Sequence, residues 1–296
     1  MFDYPPDSGE FQHCLSISCS CGAVSQSLRY SGKNEARTVK YLSQNLHLLL
    51  LFYLLVGVQS AVVADTNIAL SVKQKQFLSE SDPRAMDILK YWFEEWEADM
   101  QQKGKGRYND KWFPHGPDGA EGSRETDRII TERFLDTFHL AIAGELGWDI
   151  ERNPYENLAY VILLDQFTRN MFRGTEQAYE HDHLSRTAAK TNIEERFYKY
   201  YFTGYQKMFV VYPLMHHENL ESQELSLQFL KAINEHPNHP YEFLNAFQKG
   251  VEHFQIIHMF GRFPHRNVRR DRPATELESL YVGKKGTAGF VDGSKW

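Results

Sequence analysis

The chain predicts an all-α domain, and three observations carry that expectation. From Asp82 onward apolar residues recur at spacings of three and four. Capping signals such as Asp82-Pro83, Asn153-Pro154 and Thr275-x-x-Glu278 head those runs. Gly or Pro stands at their ends, and no stretch alternates at the period of a strand. About eight helices in a single domain follow. No self-repeat is visible at the periods of the common helical solenoids.

The chain ahead of that domain has a different character. Residues 1–45 are Ser-rich and aperiodic, with Arg29, Lys33, Arg37 and Lys40 toward their end, and read as a poorly ordered leader. Residues 46–64 form an apolar run from Leu46 to Val58 that trails into small residues at Ala64, the order of a secretory signal. A cleaved signal, an uncleaved anchor and a buried helix are the three readings, in that order. The first two export the domain or hold it at a membrane, and the third leaves it cytoplasmic. Residues 65–81 are polar and read as a linker to a domain spanning 82–296.

Asp82-Pro83 predicts an N-cap with Pro at the first helical position, followed by Ile88, Leu89, Trp92, Phe93 and Trp96 on one face. Five glycines and two prolines make residues 101–123 an irregular loop, from which Trp112 folds back onto the core. A second helix runs from about Arg124 to Glu145 with Ile130, Phe134, Phe138 and Ala141 inward. Asn153-Pro154-Tyr155-Glu156 reads as a capping box. The helix it opens is apolar all round at Val161-Ile162-Leu163-Leu164 and therefore central and buried. Gly174 ends it, and Thr175 is placed to cap the next helix. Phe197 to Tyr212 reads as a helix with an extended exit to Pro213, another helix starts near His216 to Asn219, and Tyr241 to Phe260 is a long helix stopped by Gly261. Thr275-Glu276-Leu277-Glu278 is a capping box for a short last helix.

Composition excludes some functions. The 296 residues carry a net charge of −6 and no basic stripe, so nucleic acid is not the expected partner. The three cysteines, Cys14, Cys19 and Cys21, lie in the leader at spacings that match no standard zinc pattern. Gly-rich phosphate loops, nucleophile elbows and His-Glu-x-x-His helices are absent, so no cofactor is implied.

Four polar clusters remain. Asp165 and Arg169 sit at i and i+4 on the central helix, with Asn170 beside them. His216-His217-Glu218 is followed by Gln223, placed on the same helical face as His216. His253 lies among Val251, Phe254 and Ile257, where a core imidazole is the plain alternative. Phe260 to Asn267 gathers Arg262, His265, Arg266 and Asn267 in one loop, and guanidinium forks suit phosphate or carboxylate. A structural alternative pairs Arg262 with Asp165 and lets Asn267 close the loop. A composite metal set of His216, Glu218 and His253 is a further alternative, but no metal site is assigned.

The blocks Tyr91-Trp92-Phe93, Asp127-x-x-Ile130-x-x-Arg133-Phe134, Leu164-Asp165-Gln166-Phe167-Thr168-Arg169-Asn170-Met171-Phe172-Arg173-Gly174, Pro213 to Glu218 and Phe260 to Asn267 resemble the bacterial domain of unknown function 924 family over residues 88–280. The resemblance implies a tetratricopeptide-like helical superhelix and a set of positions, but no reaction. The family has Ser where His217 stands, so His216 and Glu218 are the positions carried over. It tends to read Leu-Gly-Arg where this chain keeps only the Arg of Arg270-Asp271-Arg272, and it lacks an apolar leader.

The resulting expectation is a site for a small anionic ligand. Arg262, Arg266 and Arg169 hold a phosphate or carboxylate with Asn170 and Asn267 nearby, and Asp165 orients an arginine. His265, His216 or His253, with Glu218, are the candidates for acid–base work. The rival is a non-enzymatic helical scaffold that recognises a protein segment.

Overall fold

The computed structural model describes residues 71–94, 111–112, 119–235 and 241–285. All belong to one compact unit, Val62–Trp296. The expectations for the leader, the apolar run 46–64, Trp96 and most of the 101–123 loop fall outside the described residues. Among those described, all regular structure is helical, as expected, and no helix is long and apolar enough to cross a membrane.

The first helix, α1 (Val72–Glu80), stands inside the stretch expected to be a linker. Ser71 accepts from the Gln74 N–H while the Gln74 side chain accepts from the Ser71 N–H, a reciprocal capping box. The helix buries no residue fully, so it has no apolar stripe for a periodicity argument to detect. Helix α2 (Pro83–Trp92) starts at the expected cap, where Asp82 Oδ1 accepts from the Arg84 N–H at 2.8 Å. Ile88, Leu89, Trp92 and Phe93 enter the core. Trp112 does fold back, donating its indole N–H to the Trp92 carbonyl at 2.8 Å, and edge contacts link Trp92, Phe93 and Trp112 to Phe209.

Helix α3 (Gly119–Ala143) buries Ile130, Phe134, Phe138 and Ala141, the face expected, though it starts about five residues earlier. The central helix is composite: α4 (Pro154–Val161), a π-helical turn (Ile162–Phe167) and α5 (Thr168–Met171) run on without a break. Its head is only half of the expected capping box. Asn153 caps Tyr155 and Glu156, but the Glu156 carboxylate turns away to accept from the backbone N–H groups of Asp82 and Asp149, tying two chain segments to the helix. Residues Leu158 to Leu164 are buried apart from Tyr160, as the all-round apolar pattern requires.

After Gly174 (φ 84°) the expected Thr175 cap does not form, because its hydroxyl donates back to the Phe172 carbonyl. Helix α6 (Gln177–Glu180) follows without a side-chain cap, then α7 (Asp182–Glu194) and α8 (Phe197–Tyr200). Helix α9 (Gly204–Met215) carries Pro213 in its last turn, where an extended exit was expected. Phe209, Val210, Val211 and Leu214 are fully buried, and that packing outweighs the one backbone bond a late proline removes. Helices α10 (Leu220–Asn234) and α11 (Tyr241–Phe260) pack against each other closely enough that a Cβ at Gly250 would come within 2.7 Å of Leu230 Cδ1. Gly261 (φ 69°) stops α11 as expected, a 3₁₀ turn follows (Pro264–Arg266), and α12 (Glu276–Lys285) closes the described chain.

Candidate functional site

Three chain segments meet around Asp165. It lies in the π-helical turn, a rare wide turn that rotates the following residues relative to an α-helix and recurs at functional sites. Asp165 is fully buried, and its carboxylate accepts from His216 Nδ1 at 2.9 and 3.1 Å, from Gln166 Nε2 at 2.5 Å, and pairs with Arg169 Nη1 at 3.2 Å. Because a carboxylate can only accept, the shared proton sits on His216 Nδ1, which leaves Nε2 with a free lone pair. Burial pushes the Asp165 carboxyl up, but Arg169 and His216 outweigh it and hold it at about 2. Burial also lowers His216, against the pull of Asp165, and keeps its imidazole neutral.

His216 ends α9 as its C-cap residue, so it does not share a helix face with Gln223 as its spacing suggested. Gln223 serves it differently. From α10 its amide donates to the carbonyls of Met215 and His217, at 2.6 and 2.7 Å, and clamps the backbone on both sides of His216.

Asp182, at the start of α7, completes the cluster. It lies 3.0 Å from Arg169 Nη1 and accepts from Nη2 at 3.1 Å, while Arg266 Nη1 stands 3.7 Å away. Arg266 is 4% exposed; its guanidinium carbon is 4.5 Å from the Tyr179 ring centre and 4.6 Å from that of Phe263. Nη1 also donates to the His216 carbonyl at 3.1 Å, and Nε meets no acceptor. His253 joins from α11, its ring centre 6.0 Å from that of His216, with Nδ1 donating to the Lys249 carbonyl. Burial and the neighbouring His216 keep it neutral. His265 lies beyond Phe263 (ring centres 5.5 Å apart), and burial and Arg266 lower it to about 3.

Other candidates belong elsewhere. Arg262 binds Glu278 through both Nε and Nη2, at 2.6 and 2.9 Å, and also the Pro273 carbonyl, so it neither pairs with Asp165 nor faces the cluster. Its loop position brings it beside the cap of α12, where Glu278 is already fixed by the Thr275 N–H. The Glu218 carboxylate accepts from the Phe263 N–H and from both terminal nitrogens of Arg272. It therefore acts as a strut for the 263–272 segment and has no free oxygen for acid–base work or for a metal set with His216 and His253. Asn170 donates instead to Asp127, which also takes both forks of Arg173. Asn267 is buried beside the 3₁₀ turn, and its backbone carbonyl accepts from the Arg272 N–H, the loop closure expected of it. Among the described residues no group of three potential ligands has metal-site geometry.

Asp182, Tyr179 and Arg270 were not singled out as site residues, while Gln223 was placed beside His216 but in a different role. Of the three, only Arg270, next to the departure from the Leu-Gly-Arg pattern, had a signal in the sequence, because the other two lie in unremarkable helical contexts.

No curated protein matches this chain. A solved structure of a protein of unknown function from Agrobacterium tumefaciens is similar to it: 28% identical, covering 68% of this chain and 97% of that one, with a TM-score of 0.53. The residues of the cluster, from Asp165 to Arg272, all fall within residues 88–286, which match the family model described as bacterial protein of unknown function (DUF924), and the chain belongs to that family.

Proposed function

We propose that this protein binds a small anionic ligand, a phosphate or carboxylate, where the π-helical turn, α7 and the 263–272 segment meet, and that His216 moves a proton there. The observation that carries this reading is the buried Asp165–His216 pair set directly against Arg169 and Arg266. A carboxylate that fixes the Nδ1 tautomer presents Nε2 as a base, and paired guanidiniums beside it are the groups that recognise an anion. Arg262, Glu218, Asn170 and Asn267, assigned to the site from sequence, are structural in this reading.

Thermal melting of the full chain with acetate, sulfate or phosphate tests it, since a ligand bound to the native state raises the melting temperature by mass action. At least one anion is expected to raise it for the wild type and not for Arg266→Lys, which keeps the charge but not the planar fork. Absence of any shift in the wild type would leave the scaffold reading, in which the same charges are internal struts.

A further inference from the structure

The arginines around Tyr179 narrow the ligand class, an inference that rests on the anion site above. Three guanidiniums approach this one ring: Arg266 at 4.5 Å, Arg169 at 5.6 Å and Arg270 at 5.9 Å from its centre. The carboxylates near them are each paired with a cation or a histidine, although Asp182 Oδ1 makes no hydrogen bond. Asp165 is shared between His216 and Arg169, Asp182 between Arg169 and Arg266, and Glu218 is held by Arg272 and the Phe263 N–H. Arg270 reaches only 3.9 Å from Glu218 and otherwise donates to the Tyr179 carbonyl at 3.4 Å. The cluster thus sets Arg169, Arg266, Arg270 and Arg272 against Asp165, Asp182 and Glu218, which leaves positive charge over with every histidine neutral.

Donors are left over as well. The Nε–H groups of Arg266 and Arg270 are buried and meet no acceptor. A buried donor without a partner is destabilising, so such groups mark a place where an acceptor belongs. Arg266 is the buried end of this set, while the side chains of Arg169 and Arg270, 20% and 29% exposed, open it to solvent.

We propose that the ligand is a small, water-soluble phosphate monoester in its dianionic form. A planar carboxylate offers two oxygens and one charge. A phosphoryl group offers three oxygens and up to two charges, and so matches a set of three guanidiniums, two of them with an unused N–H.

Calorimetric titration of the full chain with glycerol phosphate, sulfate and glycolate at pH 5 and pH 7 tests the assignment. The second ionisation of a phosphate ester lies at about pH 6, so its dianion fraction rises roughly tenfold over this range. Sulfate is a dianion throughout and reports any titration of the protein itself. The expected result is glycerol phosphate affinity rising about tenfold from pH 5 to pH 7 relative to sulfate, and glycolate at least tenfold weaker at pH 7. Arg270→Ala should lose about tenfold in glycerol phosphate affinity and Arg270→Lys less; both substitute a partly exposed side chain. Glycolate binding as tightly as glycerol phosphate, or glycerol phosphate following sulfate across pH, would overturn the phosphate assignment and leave the anion site standing. If none of the three binds, both readings fall.

Discussion

Asp165 shows how one residue can organise a site and be illegible in its role. Its i,i+4 spacing to Arg169 announced an ion pair, and the pair forms, but the contact that defines the residue is to His216. Replacing Asp165 by Asn should cost about 3–5 kcal/mol in urea unfolding, since it withdraws a buried countercharge from Arg169. Imidazole NMR should show His216 protonating at still lower pH in this variant, because the favourable carboxylate is gone and the burial remains. Asp271 offers the opposite sign. Its φ of 46° is left-handed, a region that Gly enters without strain. The turn nevertheless closes, with the Arg272 N–H on the Asn267 carbonyl and the Arg272 side chain on Glu218. Asp271→Gly should therefore raise the melting midpoint, by about 1 kcal/mol in stability, with no loss of the Arg272–Glu218 pair.

Among the elements, α12 is the one whose attachment depends on a residue first assigned to ligand binding. Arg262 holds Glu278, which is 2% exposed, to the end of α11 and to the cap of α12. That pair keeps the Glu278 carboxyl at about 2. Arg262→Ala should lower the urea unfolding midpoint, because it strands a charge-assisted hydrogen bond. Anion-dependent melting shifts should survive it, which separates a strut from a ligand contact. Helix positions and most caps were legible because they are written within four residues of chain: Asp82, Asn153, Gly261 and Thr275 all act where their local pattern put them. Pro213 and α1 were misread for the same reason. A buried helix overrides a proline, and a capping box without an apolar stripe gives no periodic signal.

For the whole molecule, the buried histidines set the response to acid. His216, His253 and His265 all have folded pKa values below their ordinary value near 6.5, the last at about 3. Below pH 6.5 the unfolded chain takes up protons that the folded chain refuses, so stability falls as pH falls, by up to about 1.4 kcal/mol per pH unit for each such histidine. Asp165 and Glu278, both at about 2, act in the same direction from about pH 4 downward. Urea midpoints should therefore drop steadily between pH 7 and pH 5, and His265→Asn should flatten that slope. An equal slope in the variant would assign the acid sensitivity to other groups.

Local pattern alone identifies a helical protein, where most of its helices begin and end, and which stretches concentrate polar chemistry. Those properties depend on backbone bonds and side-chain periodicity over a turn or two. Which polar residues meet depends on the packing of segments distant in the chain. His216 reaches Asp165 across 51 positions, Arg272 reaches Glu218 across 54, and Arg266 rather than Arg262 enters the cluster. Neighbouring arginines on one loop are equivalent as a pattern. The packing of α7, α11 and α12 around that loop makes one of them part of a site and the other a brace.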